Sequence, residues 1–215
     1  MWTAGVRGVW RYFFFGLPRP GDLDAVELQM LLGLGYWVGG VQHVPLPGWH
    51  ADGPTGLAHA QAAVANAIRA GFVTPDGCHP IALALDCEGV GNPGPGMVDY
   101  ARAGFQVRTE HGYQNVGYMG YDSGLKGSDL DGFNASASCG DPEWWADFAT
   151  LSSRPAPQKG YTGHQKPQST IAGVGVDVDM VLRDGALYGL VQSAAAADSE
   201  EVITKVDPPD EPHNA

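Results

Sequence analysis

Two carboxylates two residues apart carry the densest chemistry in this chain. Asp86 and Glu88 lie in the stretch 80–91, PIALALDCEGVG, where five apolar residues run into Asp86, Cys87 and Glu88 and then into glycines. A short apolar run bounded by Pro and Gly suits a strand buried on both faces, as in a parallel sheet. Side chains alternate along a strand, so Asp86 and Glu88 share one face and Cys87 takes the other. Buried and unpaired, such charges are expensive. At the C-terminal mouth of a parallel barrel they are where active sites gather. The pattern is short, so a solvated Asp-x-Glu loop or a structural ion pair stays open beside it. A second acidic pair, Asp177 and Asp179, falls near the end of 171–181, IAGVGVDVDMV. It reads either as a pair that caps a turn or as acids meeting Asp86 and Glu88 across the same mouth.

The elements that must position these acids follow from periodicity. Residues 5–15, rich in aromatic and branched side chains, predict a strand. Asp22 can cap a helix with Leu23, Val26, Met30, Leu31 and Leu34 on its apolar face, ended by Gly33 and Gly35. Residues 36–44 predict the next strand, and 45–53 a loop carrying Trp49 and His50. The clearest helix spans 55–70, with Leu57, Gln61, Val64 and Ile68 on one face. After the Asp86/Glu88 strand come a helix over 97–111, weakened by Gly104, and a strand over 115–121. Residues 122–143 read as irregular, 144–149 as a strand or a helical turn, 161–165 as a short strand and 171–181 as a strong one. Strand and helix alternate over about 180 residues, the pattern of a parallel α/β fold. No Gly-x-Gly-x-x-Gly or Walker sequence follows the first strand, so a barrel is favoured over a nucleotide-binding sheet.

Composition bounds the function. The 215 residues suit one domain, and a net charge of −12 argues against nucleic acid or an anionic membrane surface as partner. No stretch approaches the ~18 apolar residues of a membrane span. Arg7 and Arg11 interrupt the apolar start, which predicts no signal peptide. Three cysteines, Cys78, Cys87 and Cys139, lack metal-type spacing and do not predict a disulfide framework. From residue 193 the chain turns acidic and low in complexity. Six acids stand there against Lys205 alone, so 1–192 is expected to be the folded domain and 193–215 a flexible tail.

The order of motifs resembles the glycoside-hydrolase-like barrel family related to the family-25 lysozymes. The pieces are RYFF (11–14), YWVGGVQ (36–42), AHAQAAVANAIRAGF (58–72) leading into IALALDCEG, then VGYMGYDSGL, WWADFA, GHQK and VGVDVDMV. Together they span roughly residues 6–182 and match the family's second to eighth barrel strands. The resemblance implies a (β/α)8-type TIM barrel that cuts peptidoglycan. It implies Glu88 as general acid, with Asp86 and the last-strand Asp177 supporting it. Tyr118, Tyr121, Trp144 and Trp145 become candidates for a sugar platform, each otherwise ordinary core. Gln165 and Asp179 match polar positions near the family's site, and Arg11 matches an Arg-Tyr pair whose other reading is an ion pair to a strand-end acid. The family's first strand and its Asp have no counterpart in the pattern.

The expected chemistry is glycoside hydrolysis without a cofactor or metal. One carboxyl protonates the leaving oxygen and the other faces the positive charge at the anomeric carbon. The expected partner is peptidoglycan or another cell-wall polysaccharide. A phage lysin or tail-associated protein is the expected setting, in the virion or host cytoplasm before release. Two other classes are weighed beside it. A non-catalytic carbohydrate-binding or virion structural protein fits the missing first strand. A metal-dependent phosphodiesterase-type barrel fits the strand-end acids, since Asp86, Asp177 and Asp179 could hold a hard cation; against it, His43, His50, His59 and His164 are scattered in the sequence.

Overall fold

A computed structural model describes residues 8–43, 47–73, 81–120, 123, 125–133, 142–147, 156–171 and 174–182. Six strands run parallel in sequence order: β1 (Gly8–Phe13), β2 (Trp37–Gln42), β3 (Ala82–Cys87), β4 (Gln114–Met119), β5 (Glu143–Ala146) and β6 (Gly163–Gln165). A short hairpin of β7 (Ser169–Ile171) and β8 (Val174–Val176) follows, and β9 (Asp179–Val181) then pairs with β6 in the antiparallel sense. Helices α1 (Ala25–Gly33), α2 (Gly53–Arg69) and α3 (Pro95–Glu110) fill the first three crossovers, and the single turn α4 (Gly127–Leu130) lies in the fourth.

The sheet separates two apolar layers. On the helix side, Phe13, Val38 and Leu83 pack with Leu28 of α1, Ala60, Val64 and Ala67 of α2, and Val107 of α3. On the opposite side, Ala82, Ala84, Val116 and Trp145 pack with Trp10, Val41 and Tyr118. Trp10 on β1 and Trp145 on β5 meet edge to face with ring centroids 5.7 Å apart. Four strand spacings in a flat sheet would separate them by about 19 Å. The sheet is therefore curled around this second layer, which is its concave interior. Among the described residues β1 and β9 are its edges, so the expected barrel is seen as a curled, mostly parallel α/β sheet with helices outside.

Several expectations need correction. The stretch 171–181 is not one parallel strand. It divides among the end of β7, β8 and β9, because the hairpin turns the chain back along β6. Residues 122–143 contain α4 and the first residue of β5, and 144–149 resolves as the rest of β5 up to Ala146. The apolar face expected for α1 is partly wrong: Val26, Met30 and Leu34 are exposed, while Leu28 is buried with Leu31 and Leu32 against it. In α2, Leu57 and Ile68 are exposed and the buried face is small: Gly56, Ala60, Ala63 and Ala67 beside Val64. That face is small because α3 comes close. A Cβ on Gly56 would overlap the Tyr100 backbone. The tail 193–215, Cys78 and Cys139 lie outside the described residues.

Candidate active site

The C-terminal rim of the parallel strands gathers the acids on the concave side. Asp86 follows Ala82 and Ala84 on the inward face of β3, pairs in register with Tyr118 of β4, and through it aligns with Trp145 of β5. Asp86 is buried and Glu88, just past the strand, is half-buried. Because β9 runs antiparallel, its first residue, Asp179, stands beside the last residue of β6, Gln165. The start of β9 therefore lies at the same rim as the ends of β3 to β6. Tyr118 donates its hydroxyl proton to Gln165 Oε1, and Trp145 Nε1 donates to Asp179 Oδ1 at 2.9 Å.

The electrostatics show how closely these groups sit. The Tyr12 phenol is pushed up to about 12, first by burial and then by Asp86, Glu88, Asp177 and Asp179. Burial also pushes Tyr118 up, followed by Glu88, Asp147, Asp86 and Asp179. An added negative charge on either hydroxyl is opposed by acids from β3, β5 and the β8–β9 segment, so both tyrosines lie among them. Asp179 is raised to about 6. Burial is the main cause, the Trp145 hydrogen bond works against it, and Asp177 adds to it.

The Glu88 loop is held by a clamp from the β2–α2 connection. Trp49 Nε1 donates to the Glu88 carbonyl at 2.9 Å, Gly48 N donates to the Gly89 carbonyl at 2.7 Å, and Gly91 N donates to the Trp49 carbonyl at 2.6 Å. Asn92 accepts from Ala51 N through Oδ1 and donates to the Ala51 carbonyl through Nδ2. Gly89 takes φ of +62°, a conformation glycine adopts without a Cβ penalty.

Behind β3, on the helix side, lies a buried polar chain. Arg108 donates to Gln42 Oε1, Gln42 Nε2 donates to the Tyr100 hydroxyl at 2.8 Å, and His59 Nδ1 is 3.0 Å from that hydroxyl. Burial lowers the Arg108 guanidinium to about 10. Cys87 is fully buried in the same layer, and burial raises its thiol well above the ordinary range.

Two expected site residues lie elsewhere. Trp144 is 2% exposed and packs on the helix side with Phe105 and Phe133, ring centroids 5.6 Å away in each case. It is core rather than sugar platform, because alternation gives the concave face to Trp145. Arg11 points to the helix side and pairs with Glu27 of α1, Nε to Oε1 at 2.7 Å and Nη2 to Oε2 at 2.8 Å. Its partner is a helix residue, not a strand-end acid. Asp177 precedes β9 and is exposed, and Tyr121 lies outside the described residues. Two rim residues were missed, Tyr12 and Asp147. The signal for both was alternation: Tyr12 must face opposite Arg11, and Asp147 must share a face with Trp145. Among the described residues no three or more His, Cys, Asp or Glu side chains are arranged to share a metal ion.

No family model matches the chain, and no curated protein matches it. Among solved structures it is similar in fold to the Mycobacterium tuberculosis Tat-secreted protein Rv2525c, crystallised in complex with HEPES. The two share 20% sequence identity with a TM-score of 0.57, over 87% of this chain and 89% of that one. The likeness supports the α/β architecture.

Proposed function

We propose that this protein is a glycoside hydrolase of bacterial cell-wall peptidoglycan, with the curled sheet forming the greater part of a (β/α)8 barrel. The observation that carries the reading is the convergence of Asp86, Glu88, Asp177 and Asp179 with Tyr12 and Tyr118 at the C-terminal rim of parallel strands. Glycoside hydrolysis needs two carboxyl groups in different protonation states on one small surface. Glu88, half-buried beside Asp86, is the general acid; burial and a neighbouring like charge both favour the protonated form of a carboxyl. Asp86 faces the positive charge that develops at the anomeric carbon. Tyr118, Gln165 and Tyr12 supply hydroxyl and amide groups of the kind that orient a sugar.

The test is release of new reducing ends from purified cell wall. Glu88→Gln keeps the shape of the side chain but cannot donate the proton, so release should fall by about 10²–10⁴-fold with wall binding intact. Equal release by wild type and Glu88→Gln rejects the assignment of the acid. Binding without release by either protein selects a carbohydrate-binding role instead. Release abolished by a chelator selects the metal-dependent class.

A further inference from the structure

We propose that Asp179, and not Asp177, is the last-strand catalytic carboxylate of this site, oriented by the Trp145 indole. The proposal rests on the hydrolase reading and specifies which acid completes it. Two features of the geometry carry it, register and a hydrogen bond whose donor is itself packed in place. Asp179 pairs in register with Gln165, which accepts the Tyr118 hydroxyl, so it lies on the rim with groups that already face inward. Its Oδ1 is fixed by Trp145 Nε1 at 2.9 Å. Trp145 is itself wedged: its ring lies against Trp10 edge to face, and over Gly163, where a Cβ would collide with it. A carboxylate held by a closely packed donor is preorganised, the condition for electrostatic stabilisation of a transition state. Asp177, two residues earlier, is exposed before the strand begins.

The work falls to the ionised form. Glu88 gives its proton to the leaving oxygen as the glycosidic C–O bond breaks, its electron pair remaining on that oxygen. Asp179, beside Asp86, faces the positive charge left at the anomeric carbon. A water molecule then bonds to that carbon and returns a proton to Glu88. The titratable groups linked to Asp179 are Tyr12 of β1, with the His43 ring tilted against it, Tyr118 of β4, and Asp177 before β9; Asp86, Glu88 and Asp147 reach the same tyrosines. Burial, with a smaller push from Asp177 and against the pull of the Trp145 hydrogen bond, raises the Asp179 carboxyl to about 6. Activity should therefore rise with pH through that region.

The experiment compares wild type, Asp179→Asn, Asp177→Asn and Trp145→Phe on purified cell wall, beside pH titration of the Trp145 indole N–H signal by NMR. Asp179→Asn should lose about 10²–10³-fold and Asp177→Asn less than about fivefold. The indole signal should shift with a midpoint near 6 in wild type and stay still in Asp179→Asn. Trp145→Phe removes a donor that favours the charged carboxylate, so its acid limb should move to higher pH. Active wild type with equally active Asp179→Asn, or with Asp177→Asn as damaged as Asp179→Asn is expected to be, overturns the proposal and leaves the hydrolase reading standing. An indole signal with the same pH dependence in wild type and Asp179→Asn overturns it as well, because it then reports no contact with that carboxylate. Wild type that releases nothing overturns the hydrolase reading, and the proposal with it.

Discussion

A carboxyl whose proton is held to about pH 6 by burial weakens the fold at neutral pH, and Asp179 is such a group. Its ordinary value is 3.8, so between these values the folded state binds more proton than the unfolded state. Stability from this group is complete below about pH 4 and is lost as pH rises through about 6. Asp179→Asn removes the dependence. From pH 4 to pH 8 the stability of Asp179→Asn relative to wild type should therefore increase by roughly 1–2 kcal/mol, after allowing for the water that reaches the site. Thermal denaturation of both proteins at the two pH values measures this, and parallel changes in the two would contradict the linkage. A side chain that costs stability at neutral pH fits a functional role better than a structural one. Arg11 is the contrary case. Its bidentate pair with Glu27 ties β1 to α1, which is a structural contact on the far side of the sheet from the acids.

Elements are positioned here by small residues as much as by large ones. The approach of α2 to α3 depends on Gly56 meeting the backbone of Tyr100, and on Ala60, Ala63 and Ala67 along the same face. Gly56→Ala should cost about 1–3 kcal/mol by overpacking, although alanine is the better helix former. Gly33→Ala, at the end of α1 with open space around it, should be neutral or gain up to about 1 kcal/mol. Urea denaturation of the two variants separates close packing from propensity, since propensity alone gives both the same sign. The same contact carries the site: α3 holds Tyr100, whose ring meets Trp49 edge to face, and Trp49 clamps the Glu88 carbonyl.

At the scale of the whole molecule, curling is what gathers separate strand ends at one rim. Acids on β3 and β9 reach the same tyrosines because the sheet bends enough for β1 to touch β5. Trp10 and Trp145 report that bend directly. A double-mutant cycle with Trp10→Leu and Trp145→Leu should give a coupling of about 0.5–1.5 kcal/mol, the usual worth of an aromatic pair beyond its burial. Strictly additive effects would mean that the two strands do not meet in solution. The fold likeness to Rv2525c extends over most of both chains, so the curl belongs to an architecture seen in a solved structure as well.

Period and punctuation in the sequence were enough to locate β3, to put Asp86 and Glu88 on one face and Cys87 on the other, and to order strands and helices up to β4. Those features depend on near neighbours: an apolar run, a glycine stop, a two-residue repeat. The same repeat states that Trp144 and Trp145 face opposite ways, and Arg11 and Tyr12 likewise, but not which of each pair faces the concave side. That choice depends on which face the helices cover, and so on packing between residues far apart in the chain. The direction of β9 was equally hidden. A strand's pattern reads the same parallel or antiparallel, and only its hydrogen bonds to β6 settle the direction. Tertiary pairing therefore decided that Asp179 begins a returning strand at the rim, while Asp177 precedes that strand and is exposed.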